Sequence, residues 1–205
     1  YRWDDDSSNW VSIKSGLTNG RFDFINYYKD EDDIVIMTNG RDPVLKFDGE
    51  NVTNLAGNPP KGTSISLHYN RIWIGGVTND PDAVHYSAYM NPEDWTQTLE
   101  TGGIIWLYTW DGGKCEALTI IYDDVIVFKT YDIWKILGTY QDEYEVTKVY
   151  SAVGSIARDT IVDAGNASYF LDQSGIYLYD GTQTKHISAP IDKTIRNINK
   201  EHINK

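Results

Sequence analysis

The sequence is poor in the residues that most often advertise a protein's chemistry. Of 205 residues one is cysteine, Cys115, which excludes an intrachain disulfide and an all-cysteine zinc site. Set among apolar neighbours, Cys115 reads as a small core residue rather than a nucleophile. Four histidines, His68, His85, His186 and His202, lie scattered, without H-E-x-x-H or similar ligand spacing. No metal or cofactor is therefore expected. G-x-S-x-G, S-x-x-K, P-loop and dinucleotide glycine patterns are all missing, and Gly75-Gly76 and Gly102-Gly103 precede no helix that could hold a phosphate. No apolar run approaches the roughly 18 residues of a membrane helix, and no signal-peptide pattern is present. No membrane association is expected.

Positive charge is also scarce. Thirty acidic against 18 basic side chains give a formal net charge of −12, which repels phosphate backbones and argues against nucleic-acid binding by counterion release. The acids gather at expected turns, such as Asp4-Asp5-Asp6, Asp123-Asp124 and Asp142-Glu143, where aspartate bonds its own backbone two residues on. The run from Asp4 to Asn9 superficially suggests a calcium loop. It has Asn9 where such loops need glycine and Ser15 where they need glutamate, so a solvated turn is the better reading.

What is abundant is aromatic and repetitive. Aromatics make up 13% of the chain, with 15 Tyr and 7 Trp, and helical apolar periodicity is nearly absent. This is an all-β composition. Four times a short apolar hairpin recurs, its first strand starting near residues 34, 71, 125 and 167. Two of the copies close on an aromatic-Asp-Gly turn, Phe47-Asp48-Gly49 and Tyr179-Asp180-Gly181. A period of roughly 40 to 50 residues with about four strands per unit is the signature of β-propeller blades.

The units are expected at 21–57, 63–100, 104–150 and 155–188, preceded by a partial unit at 1–20. That makes four complete four-stranded blades plus part of a fifth within a propeller region spanning 1–188. Innermost strands are predicted at 21–28, 63–69, 116–122 and 155–162, and outermost strands at 51–55, 95–99, 144–149 and 184–187. The second strand of each unit is continuously apolar, as suits a strand covered on both faces. The segment 106–112 repeats the aromatic-Asp-Gly turn out of register and extends the third blade. In the tail, 189–205, Ile191, Ile195 and Ile198 follow helical spacing after Pro190 and predict a short helix. A start at Tyr1, within an apparent strand, suggests a fragment of a larger propeller protein.

Propeller glycosidases use carboxylate pairs. Here Asp23, Asp159 and Glu116 fall on or beside innermost strands. They could line an acidic axial channel, or face outward or toward turns; the pattern favours the second, and it names no catalytic set. Asn51-Val52-Thr53 and Asn166-Ala167-Ser168 match the short glycosylation pattern, which chance alone supplies often.

The wording of the repeats carries a resemblance. Asn70-Arg71-Ile72-Trp73-Ile74-Gly75-Gly76 with Val84-His85-Tyr86-Ser87 and Asn91-Pro92-Glu93-Asp94-Trp95 resembles a blade of phage virion proteins with a propeller domain, the tail-nozzle or tail-tube proteins of short-tailed phages. So do the stretches from Thr38 to Gly49 and from Ser174 to Gly181, and the resemblance spans about residues 1 to 190. It implies a non-enzymatic virion tail component, made in the host bacterium and assembled with other tail proteins and copies of itself in a ring around the DNA channel. An acidic lumen would keep passing DNA from sticking. Such propellers belong to larger proteins, so this chain would be a piece of one. Tyr89, Trp95 and Tyr140 are candidate inter-subunit contacts, since interfaces favour aromatics, with at least one of them expected in a blade core. Two alternatives are a carbohydrate-binding or glycan-cleaving propeller for host-surface recognition, and a bacterial protein-interaction propeller. The four turn regions differ in length and chemistry, unlike the repeated pockets of a lectin.

Overall fold

The computed structural model describes residues 1–29, 32–98, 101–108, 113–149, 152–199 and 203. The expected strand end at Leu99, the Trp110-Asp111-Gly112 turn, His202 and the end of the tail lie outside them.

A half-blade comes first: β1 (Arg2–Asp4) pairs with β2 (Asn9–Val11). Blade I comprises β3 (Asp23–Lys29), β4 (Asp32–Thr38), β5 (Leu45–Phe47) and β6 (Val52–Asn54). Blade II comprises β7 (Ser64–His68), β8 (Arg71–Gly75), β9 (Ala83–Tyr86) and β10 (Gly103–Trp106). In blade III, β11 (Cys115–Ile121) and β12 (Asp124–Lys129) are followed by β13 (Ile133–Leu137) and β14 (Glu145–Val149). Blade IV holds β15 (Val162–Asp163), β16 (Ser168–Leu171), β17 (Ile176–Tyr179) and β18 (Thr184–His186). Each blade is an antiparallel meander in sequence order, and β7 lies between β3 and β11 on the inside. This is a β-propeller.

Three apolar layers lie between consecutive blades. Strand β8 shows how one sequence fills two of them. Successive strand side chains point to opposite faces. Ile72 and Ile74 pack toward Tyr27, Ile34 and Ile36 of blade I, while Trp73 packs toward Leu118, Val125 and Val127 of blade III. Strand β12 repeats this, with Val125 and Val127 facing blade II and Ile126 and Phe128 facing Phe170 and Tyr179 of blade IV. Ile72, Trp73, Val125, Ile126, Val127 and Phe128 are fully buried, each contributing about 1.5–3 kcal/mol of apolar transfer. A strand buried on both faces cannot alternate, hence the continuous apolar runs.

The aromatic-Asp-Gly phrase is a turn with a defined mechanism. The Asp48 carboxylate accepts the N–H groups of Glu50 (2.9 Å) and Asn51 (2.7 Å), and Gly49 takes the left-handed backbone with φ +98°. The Asp180 carboxylate does the same with Thr182 and Gln183, both at 2.9 Å, followed by Gly181 at φ +91°. These N–H bonds favour the charged form and hold the Asp180 carboxyl down to about 2.

Three expectations require correction. The outer strand of blade II is not 95–99 but β10, so Trp106, expected to extend the third blade, instead ends blade II, and the next blade begins at Cys115. Trp95 instead packs against the layer between blades I and II, and its indole N–H bonds the Pro92 carbonyl at 2.9 Å. The Gly102 N–H returns to the Thr96 carbonyl at 2.9 Å and the Ala88 N–H to the Asp94 carbonyl at 2.8 Å, so 88–98 is a loop. The innermost strand of blade IV shrinks from 155–162 to the two residues of β15, preceded by a 3-10 turn over Arg158–Thr160. There the Thr160 hydroxyl donates to the Ala157 carbonyl (2.7 Å) and accepts the Leu171 N–H (3.2 Å), displacing a regular ladder. The tail forms a 3-10 turn at Ala189–Ile191 and α1 (Asp192–Arg196); of its isoleucines Ile195 is buried, whereas Ile191 and Ile198 are exposed.

Candidate functional site

A four-stranded meander has two distinct ends. The turns joining first to second and third to fourth strands share one, here the turn end; the second-to-third turns and the inter-blade linkers share the other, the linker end.

Around the axis, the innermost strands of neighbouring blades are joined by side chains. The Asp23 carboxylate accepts the Ile65 N–H at 2.9 Å. Ser64 Oγ accepts the Leu118 N–H at 3.0 Å, and Ser66 Oγ donates to the Leu118 carbonyl at 3.2 Å. The Asp163 carboxylate accepts the Thr119 and Ser168 hydroxyls. Together these strands line an open axial cavity of about 490 Å³, with residues of all four blades on its wall. Asp23 and Asp159 thus do line a channel, against the pattern's preference for outward-facing positions. Asp23 is occupied as a stitch, and Asp159 is neutralised by arginine.

At the linker end the cavity opens into a mouth of about 590 Å³, with Arg21, Arg158 and Asp159 shared by both. Arg21 Nη1 lies 2.6 Å from Asp159, and Arg158 Nε lies 3.4 Å from the other oxygen of the same carboxylate. Arg158 also donates to the Thr63 carbonyl, and its side chain is only 17% exposed. Arg41 donates to the Asn19 carbonyl. Lys114 Nζ lies 3.1 Å from Glu116, whose buried carboxylate also accepts the Thr130 hydroxyl at 3.0 Å. Four cations therefore face two acids in a protein of net charge −12.

The turn end is different. Acids crowd it, among them Asp48, Asp94, Asp123, Asp142 and Asp180, and Lys46 and Lys135 there are already paired with Glu93 (2.6 Å) and Asp124 (2.5 Å). Tyrosines project between the acids. Tyr69-Asn70 and Tyr122-Asp123 form the tips of equivalent turns in successive blades, with all four residues at positive φ. Tyr69 is 40% and Tyr122 59% exposed. Of the residues chosen from sequence, Tyr89 and Tyr140 are exposed at this end, whereas Trp95 is partly buried beneath the same loop as Tyr89. The Gln141 side chain beside Tyr140 donates to the Thr98 carbonyl of that loop at 2.8 Å, so the three share one neighbourhood. Sequence reasoning passed over Tyr69 and Tyr122. Their shared phase in the repeat was the available signal.

Among the described residues no group of three or more His, Cys, Asp or Glu side chains gathers in metal-binding geometry. His68 bonds the Asp123 carbonyl at 2.7 Å, and burial lowers its pKa. His85 stands 3.2 Å from Asp80, again with burial lowering its pKa.

No protein-family model matches the chain, and no curated protein matches it in sequence. Among solved structures it is similar to BBS1N in complex with ARL6DN, at 13% identity and a TM-score of 0.55, over 88% of this chain and 56% of that one. It is similar more loosely to BamB from Moraxella catarrhalis (11% identity, TM-score 0.45, 78% and 47% covered) and to AztD from Citrobacter koseri (12%, 0.39, 80% and 46%). The chain thus spans about half the length of each. BBS1N is a β-propeller, and at that identity the likeness establishes the fold alone.

Proposed function

We propose that this chain is a non-enzymatic scaffold propeller of a phage virion tail, which docks neighbouring tail proteins or further copies of itself through its turn end. The setting rests on the resemblance of the repeats to tail-nozzle and tail-tube proteins. The docking face rests on one observation: two successive blades place an exposed tyrosine in the left-handed region at a turn tip. A bulky residue there costs about 1–2 kcal/mol. His68 packs against Tyr69 with ring centroids 4.2 Å apart and the planes tilted by 59°, yet both phenols remain substantially open. A partner that covers the rings offsets that cost, and exposed tyrosine is the side chain interfaces favour.

The test uses purified tail proteins of the same virion. Wild-type protein should enter ring-shaped assemblies visible by electron microscopy, and the double substitution Tyr69→Asn, Tyr122→Asn should lose incorporation at least tenfold while remaining folded. Equal incorporation of the double variant overturns the docking face. Glycan-array binding that disappears in the same variant replaces the scaffold reading with the carbohydrate one.

A further inference from the structure

The linker-end mouth goes beyond a scaffold role. Its cations come from separated parts of the chain: Arg21 precedes β3, Arg41 lies in the turn after β4, Lys114 precedes β11, and Arg158 opens the 3-10 turn before β15. Two of them are held on fixed backbone. Thr63, whose carbonyl takes Arg158, is anchored by its own N–H to the Gly75 carbonyl at 3.0 Å. The neighbouring Gly62 carbonyl accepts the Thr38 hydroxyl at 2.6 Å. Asn39 Oδ1 accepts the Arg41 N–H at 3.0 Å and the Asp42 N–H at 2.9 Å, fixing the turn that carries Arg41.

The charges do not cancel. One carboxylate, Asp159, serves two guanidinium groups, and Glu116 balances Lys114. Among the described residues Arg41 has only a carbonyl partner. Two positive charges are left over on the mouth's own lining, at a concave opening of about 590 Å³, within the usual range for small-ligand sites; Asp23 and Asp163 line the axial cavity behind it and are held there by hydrogen bonds of their own. Guanidinium forks match the oxygens of carboxylates and phosphates, and desolvated charge-assisted bonds are about twice as strong as neutral ones. The protein's overall negative charge does not cancel this locally, because a charge more than about 10 Å away is largely screened at 0.1 M salt. An extended polyanion, however, would overhang the acidic exterior and be repelled.

We propose that this mouth binds a compact anion bearing a phosphate or carboxylate group, oriented chiefly by Arg158 and Arg41. The test is isothermal titration calorimetry with two probes, pyrophosphate and citrate, at fixed ionic strength. Wild-type protein, Arg158→Met, Arg41→Gln and the control Lys185→Met on the outer strand β18 are compared, with folding checked by circular dichroism. At least one probe should bind wild type stoichiometrically and in the millimolar range or tighter. Each arginine substitution should weaken binding about tenfold, and the control should change it less than twofold. Arg41 is exposed, so its variant keeps the test decisive if Arg158→Met unfolds. Binding of pyrophosphate alone assigns a phosphate-bearing ligand, and of citrate alone a carboxylate-bearing one. Binding of neither, equal binding by all variants, or tighter binding of a long DNA duplex than of both probes overturns the proposal.

Discussion

The ion pair between Lys129 and Asp82 joins two blades and offers a sharp test of how this fold tolerates buried charge. Lys129, at the end of β12, has a side chain with no exposure, and its ammonium meets the carboxylate of Asp82, which is 27% exposed, in the turn before β9. That turn is fixed to the following segments: the Leu107 N–H bonds the Asp82 carbonyl and the Cys115 N–H the Pro81 carbonyl, at 2.9 and 2.8 Å. Removing one partner of a buried pair typically costs about 3–5 kcal/mol because a buried charge is left less well compensated, whereas replacing both partners together by apolar side chains of similar volume is often neutral. Partial exposure of Asp82 and the further interaction that Lys129 keeps place Asp82→Asn at the low end, about 3 kcal/mol. Lys129→Met leaves behind a carboxylate that water can reach, so it should cost less, about 1 kcal/mol. With an unfolding entropy of about 2.1 cal/mol/K per residue, 205 residues convert 3 kcal/mol into a fall in Tm of about 7 °C. Urea titration monitored by circular dichroism gives both values, and an unchanged slope confirms that the same unfolding is measured. If Lys129→Met proves as damaging as Asp82→Asn, the pair's own attraction is worth more than the desolvation argument allows, and the reasoning fails.

Other expectations follow from single residues. Gly57, at φ +76°, leaves no room for a Cβ, which would sit 1.8 Å from the Glu93 carbonyl oxygen; Gly57→Ala should therefore displace the loop 88–98 from blade I and cost at least about 2 kcal/mol, measured by urea titration. Tyr69→Asn should keep or raise stability by up to about 1 kcal/mol, because asparagine tolerates positive φ; a clear loss would show that the ring's contact with His68 outweighs the backbone strain. Burial holds Cys115 deep in the layer between blades II and III and pushes its thiol up to about 12, so a thiol reagent at pH 8 should label it only as fast as the protein opens. Burial lowers the pKa of His68 and His85, so the native protein binds fewer protons than the unfolded chain just below pH 6.5, and stability should fall as pH drops through that value. His68→Gln should flatten that slope in a pH series of urea titrations.

What was legible in the sequence is what leaves a direct trace in composition. A strand pressed between two blades must be apolar on both sides, so β8 and β12 announced themselves without any partner being known. The Asp-Gly turns were legible too, because their mechanism is local to four residues. The outer strand of blade II was not. Trp95 and its threonines carry good strand propensity, and only a distant packing contact and a returning hydrogen bond turn them into a loop. The short innermost strand of blade IV escaped for a similar reason: the hydroxyl of Thr160 takes over bonds that propensity assigns to the backbone. The basic mouth was invisible to a count of charges, which records acid in excess. Yet Arg21, Lys114 and Arg158 all stand just before an innermost strand, and placing the cations on the repeat's phase would have brought them together.

That phasing also explains why the two ends differ beside the axis. Aspartates serve tight turns at both ends, Asp48 and Asp180 at one and Asp42 and Asp172 at the other, but the linkers just before the innermost strands carry arginine and lysine. The two ends are separated by the innermost strands, five residues in β7 and seven in β3, or roughly 17–23 Å at 3.3–3.4 Å per residue. That is about two Debye lengths at 0.1 M salt, so charge changes at the mouth should scarcely be felt at the turn end. Arg41→Gln should thus weaken anion binding while leaving incorporation into tail assemblies within twofold, and the double substitution of Tyr69 and Tyr122 should do the reverse. Loss of both properties in either variant, with the fold intact by circular dichroism, would mean that the ends communicate through the blades themselves, and the picture of a rigid scaffold with two independent faces would have to be given up.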